Sequence, residues 1–138
     1  MIFPHPVSSG SLAGRLTAVG FAGWTDAIKA DFSGNASNDV VGSVLLSETQ
    51  RLRVWAIHLA AGARLGAHLH SKDYFWIALT DGESVQHSED GTTRYVRYRE
   101  GETRHFDLAP GQHILHDLHN VGARPLHFIT VEHKLSAS

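Results

Sequence analysis

From residue 43 onward, short runs rich in Val, Ile, Trp, Tyr, Phe and Thr alternate with Gly, Asp and Asn punctuation. That texture predicts short strands joined by turns. Residues 42–47 form the first expected strand and 52–60 the next. The two-residue period of a strand places Val54, Ala56 and His58 on one face and Trp55, Ile57 and Leu59 on the other. Ala61-Gly62-Ala63 turns the chain into a strand carrying His68-Leu69-His70. Residues 74–79 follow, ending at Thr80-Asp81-Gly82. Residues 83–88 and 93–99 flank Glu89-Asp90-Gly91-Thr92, whose Asp-Gly pair signals a hairpin. Residues 104–108, 113–121 and 126–132 complete the set, with turns at Ala109-Pro110-Gly111 and around Gly122 and Pro125. Eight or nine short, evenly spaced strands predict an all-β sandwich or barrel.

Residues 1–42 read differently. They are rich in glycine, and residues 33–39 have the composition of a loop. Thr25-Asp26 can cap a short helical turn through Phe32. The expectation is an irregular, loop-rich N-terminal arm over 1–42, wrapping the barrel or a partner subunit, and a barrel over 43–138.

The 138-residue length fits one domain, and a 42% hydrophobic content is ordinary for a globular chain. A formal net charge of −2 and a pI near 6.6 leave no broad basic field, so neither nucleic acid nor a membrane surface is an expected partner. With no cysteine, thiolate ligands and thiol nucleophiles are excluded. The start lacks a basic segment followed by an apolar one, which makes the cytoplasm the expected location. The anomaly is 11 histidines against 12 Lys+Arg, and it directs attention to metal.

His68 and His70, two residues apart on a strand, point to the same face. A third histidine on a distant strand would close a three-nitrogen site suited to a first-row transition ion, leaving positions open for substrate, water or oxygen. The segment His113-Ile114-Leu115-His116-Asp117-Leu118-His119-Asn120 offers three candidates. Ile114, His116, Leu118 and Asn120 share one face; His113, Leu115, Asp117 and His119 share the other. His58, His87, His105, His127 and His133 read as surface or packing residues. Arg53 and Arg104 are candidates to clamp a substrate carboxylate.

These spacings resemble the cupin superfamily, a double-stranded β-helix or jelly-roll barrel of the RmlC-like type. The first cupin motif is Gly, five residues, His-x-His, three or four residues, Glu, six residues, Gly. Here Gly62, His68, His70 and Gly82 fall into place, with Phe75 at the glutamate position after a four-residue spacer. The second motif is similar to Gly101-Glu102 through His116-x-x-x-Asn120, with Pro110-Gly111 standing for Pro-x-Gly. The resemblance covers residues 43–133 and implies His68, His70 and His116 as metal ligands. It implies a substrate pocket shaped by Tyr74, Phe75, Ile77, Ile114 and Leu118. Asp73 and the Tyr74 phenol, on the turn before Phe75, lie within reach of such a site.

Three imidazoles without a carboxylate leave a divalent charge uncompensated by the protein. Mg and Ca then fit poorly, while Fe, Zn, Ni, Cu and Co fit. A dry, positively charged pocket favours an anionic ligand. Among cupins, three-histidine sites resemble those of thiol dioxygenases and the β-diketone dioxygenase, which use ferrous iron. The resemblance thus implies a dioxygenase-like enzyme acting on a small organic molecule, holding one divalent transition metal, iron first and zinc or nickel second. The alternatives are a zinc- or nickel-dependent hydrolase or isomerase, or a small-ligand-binding cupin that is not an enzyme. It also implies a homodimer.

Overall fold

The computed structural model describes residues 14–134. The first 13 residues of the expected arm and the last four of the barrel segment lie outside the described residues. The element order is β1 (Arg15–Ala18), α1 (Asp26–Gly34), β2 (Val44–Glu48), β3 (Leu52–Leu59), β4 (Arg64–His70), β5 (Tyr74–Ala78), β6 (Gly82–His87), β7 (Thr93–Tyr98), β8 (Thr103–Phe106), β9 (Ile114–Asn120) and β10 (Leu126–His133). The nine strands from β2 onward follow the runs read from the sequence. Together with β1 they build two five-stranded antiparallel sheets, ordered β1-β7-β6-β9-β4 and β2-β3-β10-β5-β8. Ile57, Leu59, Ala78, Val96, Tyr98, Leu118, Leu126 and Phe128 pack between the sheets as the main core. The fold is the all-β double-stranded β-helix.

The motif residues that bind nothing have structural reasons to be there. Gly62 sits at φ +80° in the turn closed by the Ala63 amide donating to the Ala60 carbonyl, a conformation glycine adopts without strain. A Cβ on Gly82 would run into the Leu126 side chain. Fully buried Asn120 ties three chain segments together. Its Nδ2 donates to the Leu59 carbonyl at 3.0 Å and the Arg124 carbonyl at 2.8 Å, and its Oδ1 accepts from the Gly122 amide at 3.0 Å.

Residues 14–42 are more ordered than an irregular arm. β1 extends the first sheet by pairing with β7. The Thr25 hydroxyl accepts from the Ile28 amide and caps α1. Trp24 and Phe32 pack with Ala67 and Leu115 on the outer face of the first sheet. Polar groups fix the helix as well: Asp31 Oδ2 accepts from the Ala67 amide and from Arg64 Nη2, both at 2.8 Å. Arg64 also donates from Nε to buried Asp117 at 2.8 Å.

The chain after α1 then crosses between the sheets. The Leu69 amide donates to the Asn38 carbonyl at 2.6 Å, and Asn38 Nδ2 donates to the Ala67 carbonyl at 3.2 Å. Ser43 then joins the second sheet through its amide to the Ala56 carbonyl. Between these anchors Val41 is fully buried and enters the lumen.

Candidate metal centre

The β4–β9 pairing sets His68 opposite His116 and His70 opposite Ile114. His68, His70 and His116 therefore project from one sheet into the lumen. Their potential ligand atoms all lie within 4.8 Å of one another. Among the described residues no other group of three His, Asp or Glu side chains comes together in this way. His113 is held outside by Glu89, and His119 Nε2 lies 3.2 Å from the Gly62 carbonyl.

Hydrogen bonds select the tautomers. His68 Nδ1 donates to the Gly66 carbonyl at 2.9 Å, which leaves the lone pair on Nε2. His116 Nδ1 donates to Gln86 Oε1 at 3.1 Å. That orientation of Gln86 is fixed because its amide nitrogen donates to the Tyr98 hydroxyl at 2.9 Å, which in turn bonds Ser84 at 2.8 Å. Supporting hydrogen bonds of this kind orient metal-binding imidazoles and raise their basicity. His70 Nδ1 is buried without a hydrogen-bond partner. Its ring stacks on Tyr74 at 3.8 Å between centroids, and Tyr74 stacks on Phe106 at 4.6 Å. The Tyr74 hydroxyl is also buried and unpartnered.

Burial holds all three imidazoles below the ordinary histidine range. For His70 and His116 the neighbouring rings push further in the same direction, while for His68 the Gly66 carbonyl opposes the shift. The rings are thus neutral and ready to donate lone pairs at neutral pH. Burial likewise raises Tyr74 and takes Tyr98 up to about 12, so both remain phenols.

A stability consequence follows for the metal-free protein. Folded-state values below the unfolded value of ~6.5 mean that the unfolded chain binds protons first as pH falls. The stabilisation is complete above that range and is lost on acidification, with a slope approaching ~1.4 kcal/mol per pH unit for each ring. Urea midpoints in chelator between pH 8 and pH 5 should fall more steeply for the wild type than for His116→Asn. Equal slopes would mean that the rings are solvated.

The cavity around the cluster has a volume of about 40 Å³. Tyr74 and Leu118, expected in the pocket, line it. Phe75 and Ile77 do not, which corrects the sequence reading. The inward face of β5 carries Tyr74 and Trp76, because three residues rather than four separate His70 from the first inward position. Phe75 instead stacks on His105 on the outer face, 4.9 Å between centroids. Ile114 shares the inward face opposite His70 but lies beyond the lining residues. Asp73 is occupied by the Leu108 amide. Arg53 pairs with Glu48 at 2.9 Å and Arg104 lies 3.7 Å from Glu102; neither lines the cavity.

The lining residues that sequence reasoning missed are Val41, Ile57, Trp76, Gln86, Tyr98, Phe128 and Thr130. Gln86 had a signal of sorts: Ser84 and Gln86 alternate with Val85, but hydrophobicity points the wrong one inward. Beyond Thr130 on the same face of β10, Glu132 is buried and accepts from Trp55 Nε1 at 2.7 Å. Burial raises its pKa.

The donor set fits a transition metal. Three unprotonated nitrogens converge, two have tautomers fixed by carbonyl oxygens, and the third ring has an orphaned nitrogen. No carboxylate belongs to the cluster, which disfavours oxygen-seeking cations.

No family model matches the sequence, and no curated protein matches it. Solved structures do. A cupin domain from Bordetella pertussis Tohama I superposes with a TM-score of 0.59 at 19% identity, over 72% of this chain and 97% of that one. An RmlC-like cupin family protein with a double-stranded β-helix fold, from Methanocaldococcus jannaschii, gives 0.52 at 21% identity, over 64% and 75%. A conserved protein with a double-stranded β-helix domain from Klebsiella pneumoniae gives 0.51 at 22% identity, over 67% and 77%. The fold is therefore that of the cupins.

Proposed function

We propose that this cupin-fold protein is a metal-dependent enzyme that holds one divalent first-row ion on His68, His70 and His116 and carries out oxygenase chemistry on a small organic anion. Iron is the expected ion, ahead of zinc or nickel. The observation that carries the reading is the convergence of three buried, neutral imidazoles with no carboxylate beside them. Such a set suits borderline transition ions and leaves an unbalanced positive charge for an anionic substrate to neutralise.

The residues of the chain divide the work. Gly66 and Gln86 hold two rings in the tautomer that presents Nε2. Ile57, Trp76, Leu118 and Phe128 exclude water from the cavity, which strengthens each electrostatic contact inside. The Tyr74 phenol keeps its proton and has no protein acceptor, so it is available to donate a hydrogen bond to a ligand oxygen. A ferrous ion bound there would supply electrons to dioxygen and open positions for a chelating substrate. A volume of about 40 Å³ exceeds the ~10–15 Å³ that a single water needs, which leaves room for a small ligand beside the histidines. The proposed setting is the cytoplasm; among the described residues no helix is long and apolar enough to cross a membrane.

The test is elemental analysis of untagged protein purified anaerobically without chelator, followed by oxygen-uptake assays on small thiols, diketones and hydroxy-acids. Near-stoichiometric iron with substrate-dependent oxygen uptake is expected. Stoichiometric zinc or nickel with turnover that ignores oxygen would replace the reading by a hydrolase or isomerase. A tightly held ligand that never reacts would replace it by a binding protein.

A further inference from the structure

The lumen takes three of the 11 histidines. Others have an evident partner. Asp117 accepts from His87, Glu89 holds His113, His119 meets the Gly62 carbonyl, and His105 and His133 lie against Phe75. His58 and His127 are different: among the described residues, the polar partner of each ring is the other ring.

The sheet holds this pair in place. β3 and β10 are antiparallel and set His58 directly opposite His127. Their chain neighbours Ile57, Leu59, Leu126 and Phe128 pack between the sheets, so both histidines face outward. His58 is exposed and His127 half-buried. The rings meet at 69° with centroids 4.8 Å apart, and their Nδ1 atoms lie 2.6 Å from each other. Ala56 and Ile129 come next on this face, and Leu79 lies alongside, its amide donating to the His127 carbonyl. None of these side chains offers a donor or an acceptor to compete for the two nitrogens.

Only one of the facing nitrogens carries a proton in this contact. The other already presents a lone pair, and the first presents one once its proton moves to Nε2. Metal–nitrogen bonds of ~2.0–2.1 Å at right to tetrahedral angles place two such nitrogens ~2.9–3.4 Å apart. The rings reach that spacing by parting less than ~1 Å, a small change in side-chain torsion. Imidazole suits copper, zinc and nickel, and copper(II) stands at the top of the divalent series. The cleft that His127 borders carries Asp81 and Glu100 against a single cation, Arg124, so the local field favours a positive ion. Among the described residues no third His, Asp or Glu completes the pair, which leaves the remaining positions to water.

We propose that His58 and His127 form a second metal site, a two-nitrogen chelate on the outer face of the barrel for a divalent late first-row ion, copper(II) most tightly. The ion joins residues 69 positions apart and clips β3 to β10, whose inner faces carry Ile57, Phe128 and Thr130 of the cavity wall. An unfolded chain does not keep the two rings together, so the bound ion stabilises the native state. Two nitrogens release it to metal-free buffer, and metal retained through dialysis therefore reports the lumen alone. The site is independent of what the lumen binds.

Calorimetric titration of the stripped full chain with copper(II) tests it. The wild type is expected to bind one more ion per chain than His58→Ala or His127→Ala. Affinity at that site should fall at least ~100-fold in either variant, since losing even a supporting residue costs ~10–100-fold. The comparison reads the same way whether or not the lumen takes copper. Copper should also raise the thermal midpoint of the wild type further than that of either variant. Should His127→Ala fail to fold, His58→Ala at the exposed position makes the test by itself. Equal stoichiometry and affinity in the wild type and a folded variant would mean that copper binds elsewhere, and would overturn the proposal.

Discussion

A His68→Ala/His70→Ala variant is expected to lose its metal. Two of three donors vanish, and His116 alone is a single exchangeable ligand. Loss of one supporting residue around a metal site commonly costs ~10–100-fold in affinity, so removing two ligands should cost at least ~1,000-fold. Metal per chain after dialysis, with a titration of the stripped protein, reads this directly. His58→Ala is the control, because that ring lies on the outer face beside His127, and it should retain full metal content. His68→Gln/His70→Gln keeps more of the buried volume and separates loss of ligands from loss of packing. Full metal retention in a folded double variant would remove the three-histidine centre, and with it the oxygenase reading.

Asp117→Ala should be the most destabilising single change in the described structure, by ~3–5 kcal/mol, the usual cost of stripping one partner from a buried charged network. The Asp117 side chain is wholly inaccessible. It accepts from Arg64 Nε at 2.8 Å, the His87 amide at 2.6 Å and His87 Nδ1 at 2.8 Å. Alanine would leave the guanidinium half-paired and two N–H groups without acceptors. The damage spreads, because Arg64 also holds Asp31 of α1. Against a typical total of ~5–15 kcal/mol this is a large fraction, and it should lower the thermal midpoint by roughly 10 °C. Urea denaturation measures it, and a change below ~1 kcal/mol would show that water replaces the carboxylate.

The strands were legible because each is short, bounded by turn residues and set in a regular series. The histidine triplet was legible because a two-residue period puts His68 and His70 together and a register partner supplies His116. The phase of β5 was not. Tyr74-Phe75-Trp76-Ile77 is apolar at every position, so hydrophobicity does not say which pair faces the lumen, and a one-residue shift exchanges the faces completely. The motif spacing, which allows three or four residues, left the same ambiguity. On β6 the lumen is polar, with Ser84 and Gln86 inward, and an apolar-inward rule chooses Val85. Val41 was beyond reach for another reason: its burial depends on where α1 delivers the chain, a tertiary fact with no local trace.

That last residue has a consequence for how such a site can change over time. One wall of the histidine-lined cavity belongs to a connecting segment outside the regular strand ladders. Shortening or enlarging the side chain at Val41 would resize the chamber while every ladder hydrogen bond and all three histidines stay in place. Position 41 is thereby a place where one wall of the cavity can change size without altering the strand pairing that holds the histidines.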